Sequence, residues 1–327
     1  MSNEFTLVEL SKIETSTLRK SIIDGLLMEA DLMQLVPWET IGALATTVIR
    51  LGTLPSVGFR KINEGYTVST GSLEQKVEHI ALMGADFDTD KAIARAKNTI
   101  ASARAITQVM MLKSMAYKFN DKFINGNPET DPEEFKGLKQ RITDLYNDGY
   151  TGQYIDNGGT AGDGILLSSA ESHNFLNSLD KLIYSIKGHD PQCLLMNDKV
   201  LLALRALLRK EQLLNQSKDM FDRVVDMYGN ARLIDIGTTS DQTTEIITNT
   251  ETLEDEAAAE STSIYAVKFG LGEYLWGIQE YPIEVEDKGL LEDKPVYRTE
   301  VDWPLGLAMA VPYSIARLYA IIPDGST

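Results

Sequence analysis

Between Thr47 and Ile80 the chain has the residues of a β-structure without those of a core. Val48, Ile49, Phe59, Tyr66, Val68 and Val77 favour extended backbone, yet they lie among Thr, Ser and Gly, and Asn63-Glu64-Gly65 supplies a turn. The pattern predicts a long β-hairpin with its tip near residue 64. Its two arms are too polar and glycine-rich to bury one another, so the hairpin has to lie on something else.

The flanking segments look helical. Residues 4 to 36 read as two short amphipathic segments, with Leu7, Leu10, Ile13, Leu18, Ile22, Leu26 and Leu32 at helical spacing, closed by Pro37 and Trp38. Beyond the hairpin, Asp86, Asp88 and Asp90 suit a strand end followed by a helix cap. The helix then continues to about Ile124 and stops at Asn125-Gly126-Asn127-Pro128. Ile93, Ala96, Ile100, Ala103, Ile106, Met110, Ser114, Tyr117 and Ile124 mark one buried stripe along a helix of about 50 Å. Lys91, Arg95, Lys97, Arg104, Lys113, Lys118 and Lys122 give it a basic exposed side.

Residues 127 to 167, rich in Gly, Asp and Asn with a helical hint at Leu138 to Tyr146, read as a transition. A small α/β domain follows. Ser168-Ser169-Ala170-Glu171 is a capping-box pattern, and Leu176, Leu179, Leu182, Ile183 and Ile186 carry its helix to Gly188. A strand at Gln192 to Met196, a helix through Val200, Leu204 and Leu208, and a strand at Ala231 to Ile236 complete the alternation. Residues 238 to 262 hold seven acids and no basic residue, which predicts an exposed loop. The remainder reads as strand: Ile264 to Phe269, Tyr274 to Ile278, Ile283 to Val285, Val296 to Trp303 and Ile315 to Ile321, expected to return beside the long helix.

Composition and missing motifs exclude much. With 43% hydrophobic residues the chain can bury a sizeable core. Its formal charge of −17 provides no field to attract phosphate backbones or anionic lipid. No apolar run approaches the roughly 20 residues that span a bilayer, and the N-terminus lacks the character of a signal peptide, so no membrane partner is expected. The single cysteine, Cys193, excludes an internal disulfide. Three scattered histidines, His79, His173 and His189, form no zinc or triad pattern. Asp86-Phe87-Asp88-Thr89-Asp90 imitates a calcium loop, but Lys91 stands at its sixth position and Lys97 at its twelfth. Gly270-Leu271-Gly272 and Gly162-Asp163-Gly164 lack the third glycine of a dinucleotide fingerprint, and no Gly-Lys pair exists for a phosphate loop. No catalytic residue, metal or cofactor is indicated. A carboxylate-dependent hydrolase stays open only because acid pairs are plentiful.

An extended hairpin without a core, an apolar N-terminal arm and a helix of this length all expose surface that neighbouring copies usually cover. At this point LLMEADLMQLVPWETI (from Leu26) and TLPSVGFRKINEGYTVSTGSLEQKVEHIALMGADFDTDKAIARA (from Thr53) become informative. These stretches resemble the N-terminal half of tailed-bacteriophage major capsid proteins of the Hong Kong 97-type (HK97-like) fold, shared with encapsulin shells. The resemblance implies an α+β capsid fold with an N-terminal arm (1–36), a lead-in and extended hairpin loop (37–80), a peripheral domain on a spine helix (81–136), an axial α/β domain (137–260) and return strands (261–327). It implies a structural subunit that assembles with itself into pentamers and hexamers of an icosahedral virion shell, made in the host bacterial cytoplasm. Implied partners are a separate scaffolding protein, a portal, decoration proteins and packaged double-stranded DNA bound without sequence specificity. An encapsulin-like compartment is the alternative with the same fold. The expected inter-subunit contacts on the hairpin are Arg50, Phe59, Arg60, Lys61, Asn63, Glu64, Gly65 and Tyr66. Lys61 and Lys76 lie where some members cross-link, but no motif supports that chemistry here.

Overall fold

The computed structural model describes residues 6–7, 25–26, 31–95, 103–157, 165–166, 172–218, 222–253 and 256–322. The arm segments 8–24 and 27–30, spine residues 96–102 and the capping box at 168–171 lie outside the described residues. Five helices are present among the described residues: α1 (Lys91–Arg95), α2 (Ala103–Asn125), α3 (Leu138–Asn147), α4 (Ser172–Ser185) and α5 (Asp198–Lys210). The strands are β1 (Trp38–Thr40), β2 (Ala45–Leu51), β3 (Leu73–His79), β4 (Ala81–Asp90), β5 (Tyr154–Asp156), β6 (Ile165–Leu166), β7 (Cys193–Met196), β8 (Asn215–Lys218), β9 (Val224–Tyr228), β10 (Ala231–Asp235), β11 (Glu251–Leu253), β12 (Glu256–Val267), β13 (Leu275–Gln279), β14 (Glu284–Leu290), β15 (Val296–Met309) and β16 (Ile315–Ile322).

They form an α+β architecture on two large sheets, with β2 and β3 paired apart from both. In the first, the N-terminal half of β15 pairs with β4 and β14, and its C-terminal half with β13, which β1 joins in parallel. Thr299, Val301 and Trp303 of β15 point to one buried face, as their alternation predicts. On that face lies α2, and an aromatic group joins helix to sheet: Trp303 packs 4.8 Å from Trp38 and 6.3 Å from Phe119, centroid to centroid. Such pairs contribute about 0.5–1.5 kcal/mol beyond the area that they bury.

Gly277 faces Trp38 across the β1–β13 pairing, and a Cβ there would enter the indole ring. We expect Gly277→Ala to displace Trp38 from Trp303 and to destabilise by about 1–3 kcal/mol, read as a lowered denaturant midpoint with altered tryptophan fluorescence.

The second sheet runs β5-β16-β12-β7-β10-β9-β8, with β6 beside β16 and β11 beside β12. Strand β7 is buried on both faces and parallel to β10, while Phe175, Leu179 and Leu182 of α4 and Val200, Leu204 and Leu208 of α5 complete its core. Cys193 lies inside this sheet, where burial pushes its thiol pKa up and keeps the group protonated. Asn197 caps α5 by accepting a hydrogen bond from the Val200 amide at 3.0 Å.

Four expectations are corrected. First, α2 buries Met111, Leu112, Met115, Ala116, Phe119 and Phe123, while Met110 and Ser114 of the predicted stripe face outward and Tyr117 is half-buried. Two apolar rows at 3–4 spacing wind along this helix, and spacing alone does not say which of them meets a sheet. Second, the acidic stretch is irregular only as far as Thr250. There Asn197 Nδ2 donates to the Ile247 carbonyl, Ile246 and Ile247 are buried, and the rest enters β11 and β12. Third, β12 and β16 belong to the second sheet, so residues 261–327 divide between the two layers instead of all returning to the spine helix. Fourth, β8 and β9, unmarked in the sequence reading, extend the second sheet at its edge. Asp86 and Asp88 are strand residues clamping Arg298 of β15 at 3.0 and 2.7 Å, and Asp90 accepts from the Ala92 amide at the start of α1. No helix among the described residues is long and apolar enough to cross a membrane.

Candidate inter-subunit surface

Strands β2 and β3 form the base of the predicted hairpin, in register from Ala45↔His79 to Leu51↔Leu73. Beyond them the arms are held by sparser bonds. The Gly52 and Ser72 amides donate across the hairpin at 3.0 and 2.9 Å, and the Ser56 amide donates to Ser69 Oγ at 2.8 Å. Hydroxyl groups thus replace a ladder, which is why Thr and Ser crowd this stretch.

The two faces of this base are inverted relative to an ordinary surface hairpin. Val48, Arg50 and Glu78 point inward and are buried, whereas Ile49, Leu51, Leu73 and Val77 point outward and are more than half exposed. Toward the tip, Leu54, Val57, Phe59, Ile62, Tyr66 and Val68 add to the exposed apolar strip, with Val57 at 95% and Val68 at 92% exposure. A monomer gains nothing from apolar groups arranged in this way; a strip of this kind marks an interaction surface.

The inward face is tied down by charge. Arg141 of α3, 3% exposed, holds Glu78 in a bidentate pair at 2.7 and 2.8 Å and donates to the carbonyls of Leu307 and Lys136. Arg50 donates to the Met309 carbonyl at 3.0 Å, and its guanidinium stands 3.7 Å from Glu78. Burial lowers the pKa of Arg50 and the Glu78 charge opposes that shift. One carboxylate therefore serves two buried guanidinium groups, joining β2, β3, α3 and β15. Nearer solvent, Lys76 meets Asp148 at 3.3 Å.

Of the eight predicted contact residues, seven lie at the exposed tip. Arg60 donates to the Glu64 carbonyl at 3.2 Å and lies 5.2 Å from the Tyr66 ring centroid, while the Glu64 amide closes the turn onto the Lys61 carbonyl. Asn63 takes the left-handed conformation at φ 70°, a role that Asn accepts more readily than most residues, and Gly65 has open space around it. Phe59 is fully exposed. Arg50 departs from the expectation: it is 8% exposed and makes its contacts within its own chain. The sequence reading also missed Glu78 and Arg141. The parity of Val48 with Arg50 across Ile49 was a usable signal, since alternate strand residues share a face.

The profile of the family described as major capsid protein GP7 matches residues 15–171. No curated protein sequence matches the chain. Among solved structures, the holo-SrpI encapsulin complex from Synechococcus elongatus PCC 7942 superposes with a TM-score of 0.59 at 13% identity, covering 98% of this chain and 97% of that one. The capsid of a native GTA particle gives 0.58 at 13% identity over 90% and 91%, and Microbacterium phage Oxtober96 gives 0.58 at 9% over 88% and 90%. At these identities the likeness establishes the fold and nothing finer.

Proposed function

We propose that the chain is a major capsid protein with the Hong Kong 97-type fold, a virion component made to repeat, whose hairpin lies across an adjacent copy to build pentamers and hexamers of an icosahedral shell. The inverted hairpin carries this reading: its apolar face is turned away from its own subunit and its charged face is anchored to it. A second copy is the partner that gives this orientation a purpose, because head-to-tail contacts of one surface with a different surface close into rings. A separate scaffolding protein and a portal suit assembly in the host cytoplasm. The charge of −17 suits a container for double-stranded DNA, since a basic wall would release counterions and hold the phosphates during filling.

Negative-stain electron microscopy with sedimentation, on the protein expressed alone and with its scaffolding protein, tests the proposal. Closed shells, or rings and tubes of capsomer size, are the expected result; a monodisperse monomer or dimer in both preparations overturns it. A shell around cargo protein is the second reading, favoured by the encapsulin likeness over 98% of the chain. Nuclease-resistant DNA inside particles from infected cells selects the first reading, and co-purifying cargo protein selects the second.

A further inference from the structure

Where the turn at Asp31–Gln34, helix α2 and the end of β10 meet, the chain forms a cavity of about 180 Å³ lined by Asp31, Tyr117, Asn120, Arg223 and Asp235 among others. We propose that this cavity is a cation site, holding one hydrated divalent ion of the Mg²⁺ type on Asn120 Oδ1 and the Asp235 carboxylate.

Three observations lead to it. The first is an orphaned acceptor. Asn120 is 6% exposed, and its Nδ2 donates to the Ile236 carbonyl at 3.3 Å, which orients the amide and leaves Oδ1 buried with no hydrogen-bond partner among the described residues. An oxygen in that position costs free energy until a donor or a cation meets it. The second is charge. Two carboxylates, Asp31 and Asp235, line the cavity with one guanidinium, that of Arg223, and Asp31 already holds it at 2.5 Å. Asp235 accepts from the Gly237 amide at 2.9 Å, and partial desolvation together with the Asp198 charge keeps its carboxyl pKa above the ordinary value. A positive ion beside it reverses that shift. The third is room. Among the described residues no three His, Cys, Asp or Glu side chains gather as metal ligands, so the ion has few protein oxygens and keeps water. At about 30 Å³ per water the cavity holds several. Mg²⁺ behaves in this way: it dehydrates reluctantly and is usually bound through one or two carboxylates. Because Asn120 belongs to the helix packed on the first sheet and Asp235 ends a strand of the second, the ion would join the two layers.

Tyr117 lies one turn before Asn120 on α2 and lines the same cavity, so its phenol reports occupancy. Tb³⁺, which also seeks oxygen ligands, emits when a nearby excited phenol passes energy to it. Titration of chelator-stripped protein with Tb³⁺ is expected to give saturable tyrosine-sensitised emission that excess Mg²⁺ displaces and Tyr117→Phe largely removes. Asp235→Asn should weaken the apparent affinity about tenfold or more, since losing even an outer-shell partner costs that much. Melting gives a reading independent of the probe. In Mg²⁺ at about 100 times its Kd, Tm should stand roughly 4 °C above that in a monovalent salt of equal ionic strength, a gain that survives Tyr117→Phe and is lost in Asp235→Asn. Asp235 is exposed and Tyr117 half-buried, so neither change opens the core. Asn120→Asp turns the orphaned oxygen into part of a carboxylate; it should melt below wild type in chelator and gain more than wild type from Mg²⁺. Emission unchanged in Tyr117→Phe, or an equal Mg²⁺ gain in wild type and Asp235→Asn, puts the ion on the acidic surface at large and overturns the site.

Discussion

Deletion of residues 60–68 is expected to leave a folded subunit that no longer closes into shells. Every residue of the deleted tip is exposed, and the hydrogen bonds and the cation–π pair that order it are internal to the hairpin. The β2–β3 ladder and the Arg50–Glu78–Arg141 cluster remain, so unfolding stability should stay within about 0.5 kcal/mol of wild type, the scale expected for a change in loop length. Assembly is another matter. Burying a large apolar side chain contributes roughly 1.5–3 kcal/mol, so four of the exposed hairpin residues supply about 6–12 kcal/mol per contact before the entropy of association is subtracted. The deletion removes Ile62, Tyr66 and Val68 and, with them, the geometry that presents Val57 and Phe59. Circular dichroism and thermal melting should match wild type while sedimentation shows only small species. Wild-type-like particles from the deleted protein would refute the hairpin's role.

That prediction rests on a feature legible in the residues, and it is instructive which others were legible. The hairpin showed itself because Asn63-Glu64-Gly65 and the Thr, Ser and Gly content are local signals of turn and extended backbone. The β15 alternation of Thr299, Val301 and Trp303 was equally local. Long-range pairing was not. Nothing in Ile315 to Ile322 distinguishes a strand for the first sheet from one for the second, because both are antiparallel partners of buried apolar strands. The acidic stretch misled for a related reason: Glu251 reads as loop, but it pairs with Ser261 of β12 and its carboxylate accepts hydrogen bonds from Ser263 and Arg317. Arg50 read as a surface charge because its anion, Glu78, and that anion's main partner, Arg141, are 28 and 91 residues away. A buried charge is recognised only by its partner, and this partner comes through the fold.

That cluster supplies the other large effect. We expect Glu78→Gln to destabilise the subunit by about 3–5 kcal/mol, because it leaves two guanidinium groups, 8% and 3% exposed, without their shared anion. With an unfolding entropy near 2.1 cal/mol/K per residue, this corresponds to a fall in Tm of roughly 4–7 °C for a chain of this length. The loss should be specific to uncompensated charge. Removing the anion together with one cation, as Glu78→Gln with Arg50→Gln, takes away one of the two stranded guanidinium groups, so the double variant should be more stable than the sum of the single changes implies. The second readout is positional. Glu78 of β3 holds Arg141 of α3 and stands beside Arg50 of β2, which donate to the Leu307 and Met309 carbonyls of β15, so its loss should speed amide exchange in 45–51 and 73–79 before the rest of the first sheet responds. If Glu78→Gln melts with wild-type midpoint and exchange, the cluster does not anchor the hairpin. If it melts early but exchange rises evenly over both sheets, the cluster stabilises the fold without aiming the hairpin. The expected pattern, early exchange confined to the hairpin base and fewer closed shells from subunits that are still folded, would tie a buried ion pair in one subunit to the presentation of an apolar strip to the next.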